Sequence, residues 1–454
     1  MKISVIGCGY LGLTHAASMA SLGHEVVGVE VDPVRLNALQ AGTCPYHEPG
    51  LPELMRDNWE RLTFTDDYSK VSDAVVHFIG VGTPQDKQSN KADLSYVWSA
   101  AQSLREVINP QLDQVAVVGK STVPPGTAAS VAAILSGCQN TEVIWNPEFL
   151  REGHGIEDTL HPDRIVYGTA TGEQTPGSDL VSQVYAAMLA EDTPQIITNY
   201  PTAELIKMAA NSFLATKISF ANAWAHLCDQ VGGDIRVLTK AIGMDARIGQ
   251  AFLRAGSGFG GGCLPKDLHS TMSLFRGRDL PIESQFFESV DAINEASRET
   301  VVKLIARLVE VPISTAEIPM VTAETLANTP AGINPPRVAI LGAAFKANSD
   351  DVRLSPALAI ATGLLDLGIS VVITDPVALP GVHKIEPRAE LSPSVERAIA
   401  EADLVVVGTE WPAYLELDPK QLPGPPRIIV DARNCLDPEV WRGAGWDYYG
   451  VGHR

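Results

Sequence analysis

Short apolar runs punctuate the first third of the chain. Ile3–Ile6, Val26–Val29, Val75–Ile79, Val115–Val118 and Val143–Trp145 are rich in β-branched residues, with helical stretches between most of them. Continuous rather than alternating apolar runs predict strands buried on both faces, hence a parallel sheet in an α/β domain. Beyond Tyr200 the period changes. From Thr202 to His226 apolar and small residues recur at helical spacing with no strong breaker, which predicts one long helix. That helix is too long for a crossover and reads as a domain-joining or dimer-forming spine. Helical patterning resumes from Leu268 to about Val309, and residues 311–336, rich in Pro, Thr and Ala, read as a linker or surface excursion.

The strand grammar then returns. Val338–Gly342 is a strand ending in glycine, Ser355–Leu367 a helix, and Ser370–Thr374 a strand running into Asp375-Pro376. Ala402–Thr409 echoes Ser72–Thr83 of the first half. The expected fold class is therefore α/β, with two Rossmann-like doubly wound domains joined by a long central helix and a helical middle domain. The expected boundaries are 1–199, 200–310, 311–336 and 337–454.

The first strand runs into Gly7-Cys8-Gly9-Tyr10-Leu11-Gly12, followed by a small-residue helix over Leu13–Leu22 and a second strand, Glu25–Val31, with Glu30 and Asp32 at its end. In a dinucleotide-binding unit Gly7 permits the tight turn, Gly9 lets a pyrophosphate approach, and Gly12 lets the helix pack on the strand. An acid at the end of the second strand binds ribose hydroxyls and repels a 2′-phosphate, favouring NAD over NADP. Glu30 and Asp32 are both candidates, Glu30 being nearer the strand end. The turn in the second half, Gly342-Ala343-Ala344-Phe345-Lys346, lacks the second glycine. It is not expected to cradle a dinucleotide, although Lys346 offers charge for a different anion.

Composition narrows the partners. The 454 residues are 45% hydrophobic and 19% charged, with a formal net charge of −20, which leaves no basic excess for nucleic acid or anionic membrane. No apolar run approaches the roughly 20 residues that span a bilayer, and no leader is expected ahead of the first strand. Six scattered cysteines form no C-x-x-C pair and no zinc-like spacing, so a reduced, cytoplasmic protein without a metal is expected. Cys8 is read as a small filler in the phosphate loop.

Gly258-Phe259-Gly260-Gly261-Gly262-Cys263-Leu264-Pro265-Lys266-Asp267 joins a glycine-rich turn to a cysteine. If a helix starts near Cys263, its N-terminus and a nearby ammonium both favour thiolate. The plain alternative is a buried structural cysteine.

These segments, together with Glu48–Leu51, Gly82–Pro84, Lys120–Thr127, Asn146–Gly153, Lys207 with Asn211, Arg247–Gly249, and Phe345-Lys346 with Arg353, resemble the UDP-glucose/GDP-mannose dehydrogenase family over nearly the whole length. The resemblance implies oxidation of a sugar C6 alcohol to a carboxylate with reduction of two NAD. It implies that Cys263 captures the aldehyde as a thiohemiacetal and carries it to a thioester. It puts Lys207 and Asn211 at the C6 oxygen, Asp267 near the thiol, Glu148 as base for thioester hydrolysis, and Thr122 beside that water and the nicotinamide. For the cofactor it implies Gly7, Gly9, Tyr10, Leu11, Gly12, Glu30, Arg35, Thr83, Thr122, Glu152, Lys266 and Arg353. For the substrate it implies Glu148, Phe149, Leu150, Lys207, Asn211, Phe252, Leu253, Gly260 and Lys346, with Arg247 reaching a neighbouring subunit's sugar, hence a homodimer.

Glu48–Leu51 and Arg61–Thr65 look like the UDP-glucose branch, which implies conversion of UDP-glucose to UDP-glucuronate; GDP-mannose is the alternative substrate. A single-step hydroxyacid or 6-phosphogluconate-type dehydrogenase leaves Cys263 and the second Rossmann-like half unexplained. A non-catalytic nucleotide-sugar sensor leaves Cys263, Lys207, Asn211 and Asp267 unexplained.

Overall fold

The computed structural model describes residues 1–86, 92–310, 335–424 and 428–453. These form two compact units, Met1–Ala210 with His269–Arg278, and Asn211–Leu268 with Asp279–Arg454.

The first unit is built on an eight-stranded sheet: β1 (Lys2–Ile6), β2 (Glu25–Val29), β3 (Leu62–Thr65), β4 (Val76–Ile79), β5 (Val115–Gly119), β6 (Thr141–Trp145), β7 (Ile165–Thr169) and β8 (Gln195–Asn199). The order is β3-β2-β1-β4-β5-β6-β7-β8. All neighbours are parallel except β6 and β7, which meet antiparallel at the single pair Trp145↔Gly168. Ile3 and Val5 belong to the core on one face and Ile6 to that on the other, so the sheet is covered on both sides, as the continuous apolar runs require. The order reverses between β1 and β4, and in open α/β sheets that switch point is where ligands bind, at the carboxyl ends of the strands.

The second unit carries a six-stranded parallel sheet: β9 (Arg337–Leu341), β10 (Ser370–Thr374), β11 (Glu390–Leu391), β12 (Leu404–Val407), β13 (Ile428–Asp431) and β14 (Asp447–Gly450), in the order β11-β10-β9-β12-β13-β14. The expected α/β class with two Rossmann-like sheets is what the chain adopts.

The long helix runs over Tyr200–Val231, and the division between the units falls within it. Its 32 residues make it about 48 Å long at 1.5 Å per residue. In the second unit Asn222 accepts the Gly256 N–H at 2.8 Å and Ser219 donates to the Val290 carbonyl at 2.7 Å, both from the buried side of the helix. Phe213, Phe220, Trp224, Leu227 and Val231 stay exposed at helical spacing. The helical patterning expected from Leu268 to about Val309 is two helices, Leu264–Arg276 and Pro281–Leu308, broken where Gly277 follows the first and Pro281 opens the second. The linker expectation for residues 311–336 falls almost entirely outside the described residues.

Candidate active site

The N-terminal turn is shaped by steric necessity. Gly7 has φ +88°, and a Cβ there would come within 2.9 Å of Val81. A Cβ at Gly12 would overlap the Gly7 carbonyl oxygen, whereas Gly9 faces open space. The helix Tyr10–Ser21 starts at Gly9 with no side-chain cap, so its first N–H groups point at the space in front of the turn. Glu30, 3% exposed, accepts the Cys8 N–H at 3.2 Å, the Asp32 N–H at 2.9 Å and Arg35 Nη1 at 2.8 Å. Asp32 instead caps the helix Pro33–Gln40 through the Arg35 N–H at 2.9 Å. Of the two candidate acids, Glu30 is therefore the one turned to the glycine loop. An open cradle, uncapped helix N–H groups and a buried strand-end carboxylate fit a dinucleotide.

Around this loop Tyr10 donates to Glu48, which also accepts the Gly153 N–H at 2.6 Å and the Gly155 N–H at 2.7 Å. Burial and the Glu48 carboxylate push the Tyr10 phenol far above its ordinary range, keeping it a donor. Leu11 and Glu152 are half-buried, and Thr83 donates to the Thr122 carbonyl at 2.9 Å, joining the segments that follow β4 and β5.

At the end of β6 the segment Glu148-Phe149-Leu150 meets the long helix. Lys207 Nζ lies 3.2 Å from Glu148 Oε1, the side chains being 6% and 13% exposed. Glu148 Oε2 accepts the Leu150 N–H at 2.5 Å. Phe149 lies under the Arg164 guanidinium, 3.7 Å from its ring centre, with Lys207 Nζ 5.6 Å away. The arrangement packs an acid, an ammonium and an aromatic face together in the first unit.

The cysteine segment lies in the second unit. Gly258 and Gly261 have φ of +90° and +83°. A Cβ at Gly260 would overlap the Leu354 carbonyl, one at Gly261 would come 2.7 Å from the Phe345 ring, and one at Gly262 would meet the Arg353 guanidinium. Asn294 accepts the Phe259 N–H at 2.8 Å and donates to its carbonyl at 3.2 Å, Arg298 reaches the same carbonyl at 2.7 Å, and Arg433, paired with Glu410 at 2.6 Å, reaches the Gly258 carbonyl at 3.2 Å. The turn thus ends at Cys263, immediately before the helix Leu264–Arg276, and Cys263 is exposed rather than packed in the core. One turn on, Asp267 is 1% exposed; it accepts from Asn211 at 2.6 Å and pairs with Lys266 at 3.0 Å.

The remaining expected residues spread over the second unit. Lys346 is half-buried with Nζ 5.5 Å from the Phe345 ring centre, Arg353 pairs with Asp351 at 2.6 Å, Leu253 is buried, and Phe252 is exposed with φ +63°. Arg247 is solvent-facing and pairs with Asp245 at 2.6 Å. Sequence reasoning gave no role to Glu48, Asn294, Arg298 or Arg433. Glu48-Pro49-Gly50-Leu51 stood out as a motif, but the other three are single polar residues whose work is to hold backbone.

A doubly wound sheet with a glycine cradle and an acid at the second strand defines a dinucleotide-binding protein. Three models of the UDP-glucose/GDP-mannose dehydrogenase family match the chain in order: the NAD binding domain over residues 1–189, the central domain over 201–296 and the UDP binding domain over 339–438. A UDP-glucose 6-dehydrogenase of Rhizobium meliloti is 36% identical over 460 residues, covering 100% of this chain and 99% of the relative. The UDP-glucose 6-dehydrogenase TuaD of Bacillus subtilis is 36% identical over 462 residues, covering 99% and 93%. The solved structure of a UDP-glucose dehydrogenase from Pyrobaculum islandicum superposes with a TM-score of 0.85 at 33% identity, covering 100% of this chain and 98% of that one.

The chain belongs to the UDP-glucose/GDP-mannose dehydrogenase family and is an NAD-dependent nucleotide-sugar dehydrogenase. Among the described residues no helix is long and apolar enough to cross a membrane.

Proposed function

We propose that this enzyme oxidises UDP-glucose to UDP-glucuronate in two hydride transfers, with Cys263 holding the sugar between them. The observation that carries this reading is an exposed thiol at a helix start, one turn before a buried Asp267 that Asn211 and Lys266 hold. The full-length relatives, which are named for UDP-glucose, support that substrate. Gly7, Gly9, Tyr10, Leu11 and Gly12 would cradle NAD, with Glu30 toward its ribose and Arg35, Thr83, Glu152, Lys266 and Arg353 completing the site, and NAD would supply the acceptor for each hydride.

Lys207 and Asn211, one turn apart on the long helix, bind the C6 oxygen; Lys207, as the neutral amine, takes the hydroxyl proton as C6 gives up its first hydride and the alcohol becomes an aldehyde. The Cys263 thiolate adds to the aldehyde carbon, and the oxygen is protonated to a thiohemiacetal. Loss of that oxygen's proton and the second hydride leaves a thioester. Glu148, with Thr122 holding the water, removes one proton from that water as its oxygen bonds to the thioester carbon; the C–S bond breaks to release the Cys263 thiolate, and the carboxylic acid gives its remaining proton to solvent and leaves as carboxylate. Phe149, Leu150, Phe252, Leu253, Gly260 and Lys346 hold the nucleotide sugar, and Arg247 reaches the sugar of a second subunit. The exposed apolar stripe of Phe213, Phe220, Trp224, Leu227 and Val231 supports a homodimer. The proposed domains are a cofactor domain over 1–199, a central domain over 200–310 and a nucleotide-sugar domain over 337–454, in a cytoplasmic enzyme.

The test is NADH yield and substrate preference. UDP-glucose gives two NADH per sugar and the higher initial rate; GDP-mannose oxidised faster at equal concentration overturns the substrate, and one NADH per sugar overturns the two-step chemistry.

A further inference from the structure

Among the described residues of the first unit, the mechanism leaves a buried cation without a task. Lys120 is the residue after β5 and is 8% exposed. Its ammonium donates to Asn146 Oδ1 at 2.8 Å and to the Tyr185 hydroxyl at 3.2 Å, and it lies 5.6 Å from the Tyr185 ring centre and 5.8 Å from that of Phe78. Both polar partners are neutral, and a desolvated ammonium held only by neutral groups is costly unless its geometry is needed.

Register gives the reason. Gly119 and Trp145 are the last paired residues of β5 and β6. Lys120 and Asn146 follow, one on each strand, and two residues further along each come Thr122 and Glu148. Backbone pairing ends at the Asn146 N–H, bonded to the Gly119 carbonyl at 2.8 Å, so the Lys120–Asn146 side-chain bond is the next rung. Asn146 also donates Nδ2 to the Val166 carbonyl at 2.9 Å across the thin antiparallel seam with β7, and its Oδ1 accepts the Tyr185 hydroxyl at 2.9 Å. Every hydrogen-bonding atom of the amide except one N–H is thereby engaged, at 4% exposure for both Asn146 and Tyr185.

We infer that Lys120 is a positioning residue for the hydrolytic half of the reaction: through Asn146 and Tyr185 it fixes the two strand-end segments that carry Thr122 and Glu148. The inference rests on the proposed roles of those two residues in releasing the thioester. It separates Lys120 from Lys207, which meets Glu148 directly. The groups facing the Lys120 ammonium are Asn146, Tyr185, His15 and, at longer range, Glu148; His15 is buried and held well below its ordinary pKa by burial and by the Lys120 charge, so it stays neutral. Burial brings the Lys120 pKa down from 10.5 to about 8. Above that pH the ammonium is lost, and the rung keeps only a weaker neutral bond.

The test is rapid-quench turnover with UDP-glucose and NAD, following NADH and, by intact mass, acyl adduct on Cys263. Lys120→Met should give KM values within about twofold of the unsubstituted enzyme but hydrolysis roughly ten- to a hundredfold slower, the scale of a small misplacement of a catalytic group. NADH then appears as a burst followed by a slow phase, adduct accumulates, and the decline of kcat above about pH 8 disappears from the profile. Tyr185→Phe, which keeps the ring, should shift the same step by less, and it carries the test if Lys120→Met does not fold. Unchanged hydrolysis in a folded Lys120→Met, or an equal fall in both hydride transfers and hydrolysis, overturns the inference. Absence of any Cys263 adduct in the unsubstituted enzyme and both variants instead overturns the covalent reading on which it rests.

Discussion

The two sheets make the same first turn and put it to opposite uses. In each, the first strand ends in a glycine of positive φ, Gly7 at +88° and Gly342 at +97°, and a carboxylate at the end of the second strand accepts from the turn's backbone. In the first unit Glu30 takes one loop N–H, from Cys8, and Gly9 leaves open space before the uncapped helix. In the second, Asp375 takes two, from Ala343 at 2.7 Å and Ala344 at 3.1 Å, and also the Val377 and Ala378 N–H groups and the Trp411 indole at 3.1 Å. Asp375 is saturated by the protein itself, and with Ala343 and Ala344 fully buried, their N–H groups are not left for a dinucleotide as those before the first helix are. Strand order sets where a crevice lies; which loop N–H groups remain available decides what enters it.

The largest break in this comparison is Gly12→Val. Its side chain would collide with the Gly7 carbonyl, so NAD binding should fall beyond detection in a calorimetric titration. Asp375→Asn, which removes a buried charge facing five donors, should destabilise the second unit by about 3 kcal/mol in denaturant unfolding while leaving the KM for NAD unchanged. Glu30→Gln should raise the KM for NAD roughly tenfold, about 1.4 kcal/mol, and narrow the preference over NADP in initial rates.

Acid should act on the second unit through Glu386 and Glu410. Their pKa values are lowered from 4.5 to about 2, that of Glu386 chiefly by its bond from Arg388 and that of Glu410 by the Arg433 charge against the cost of burial. The unfolded chain takes up these protons first, so stability held above pH 4.5 is lost as pH falls toward 2, read by thermal melts across that range. Lys120 has the opposite profile in the first unit. Its folded pKa of about 8 lies below the ordinary 10.5, the unfolded chain keeps the proton longer, and its contribution to stability should rise between pH 8 and 10.5, a rise absent in Lys120→Met.

Much of this was legible from pattern. The glycine spacing, the long helix and the repeated strand–glycine–helix–strand–acid grammar each reflect one local rule, and the structure follows them to within a few residues. Strands β3, β7, β8, β11, β13 and β14 escaped. β3 has four residues and β8 is largely exposed, so neither leaves a buried apolar run, and nothing local marks the antiparallel turn of β7. The break between the helices Leu264–Arg276 and Pro281–Leu308 was written as Gly277 and Pro281 and passed over because helical periodicity persists across it. For the candidate site, glycines and charged residues were visible because their chemistry is unusual at those spacings. Asn294, Arg298 and Arg433 were not, since the groups they hold are distant in sequence, and Asn146 was visible only as the first residue of a motif, without its bond from Lys120.

The central claim is a covalent bond between Cys263 and the oxidised sugar carbon. Acid-quenched intact-mass spectrometry during turnover with UDP-glucose and NAD measures it directly. The account predicts a transient UDP-glucuronyl adduct on the chain, mapped to Cys263 and lost in Cys263→Ser together with the second NADH. An enzyme that makes two NADH and a carboxylate at full rate as Cys263→Ser contradicts it.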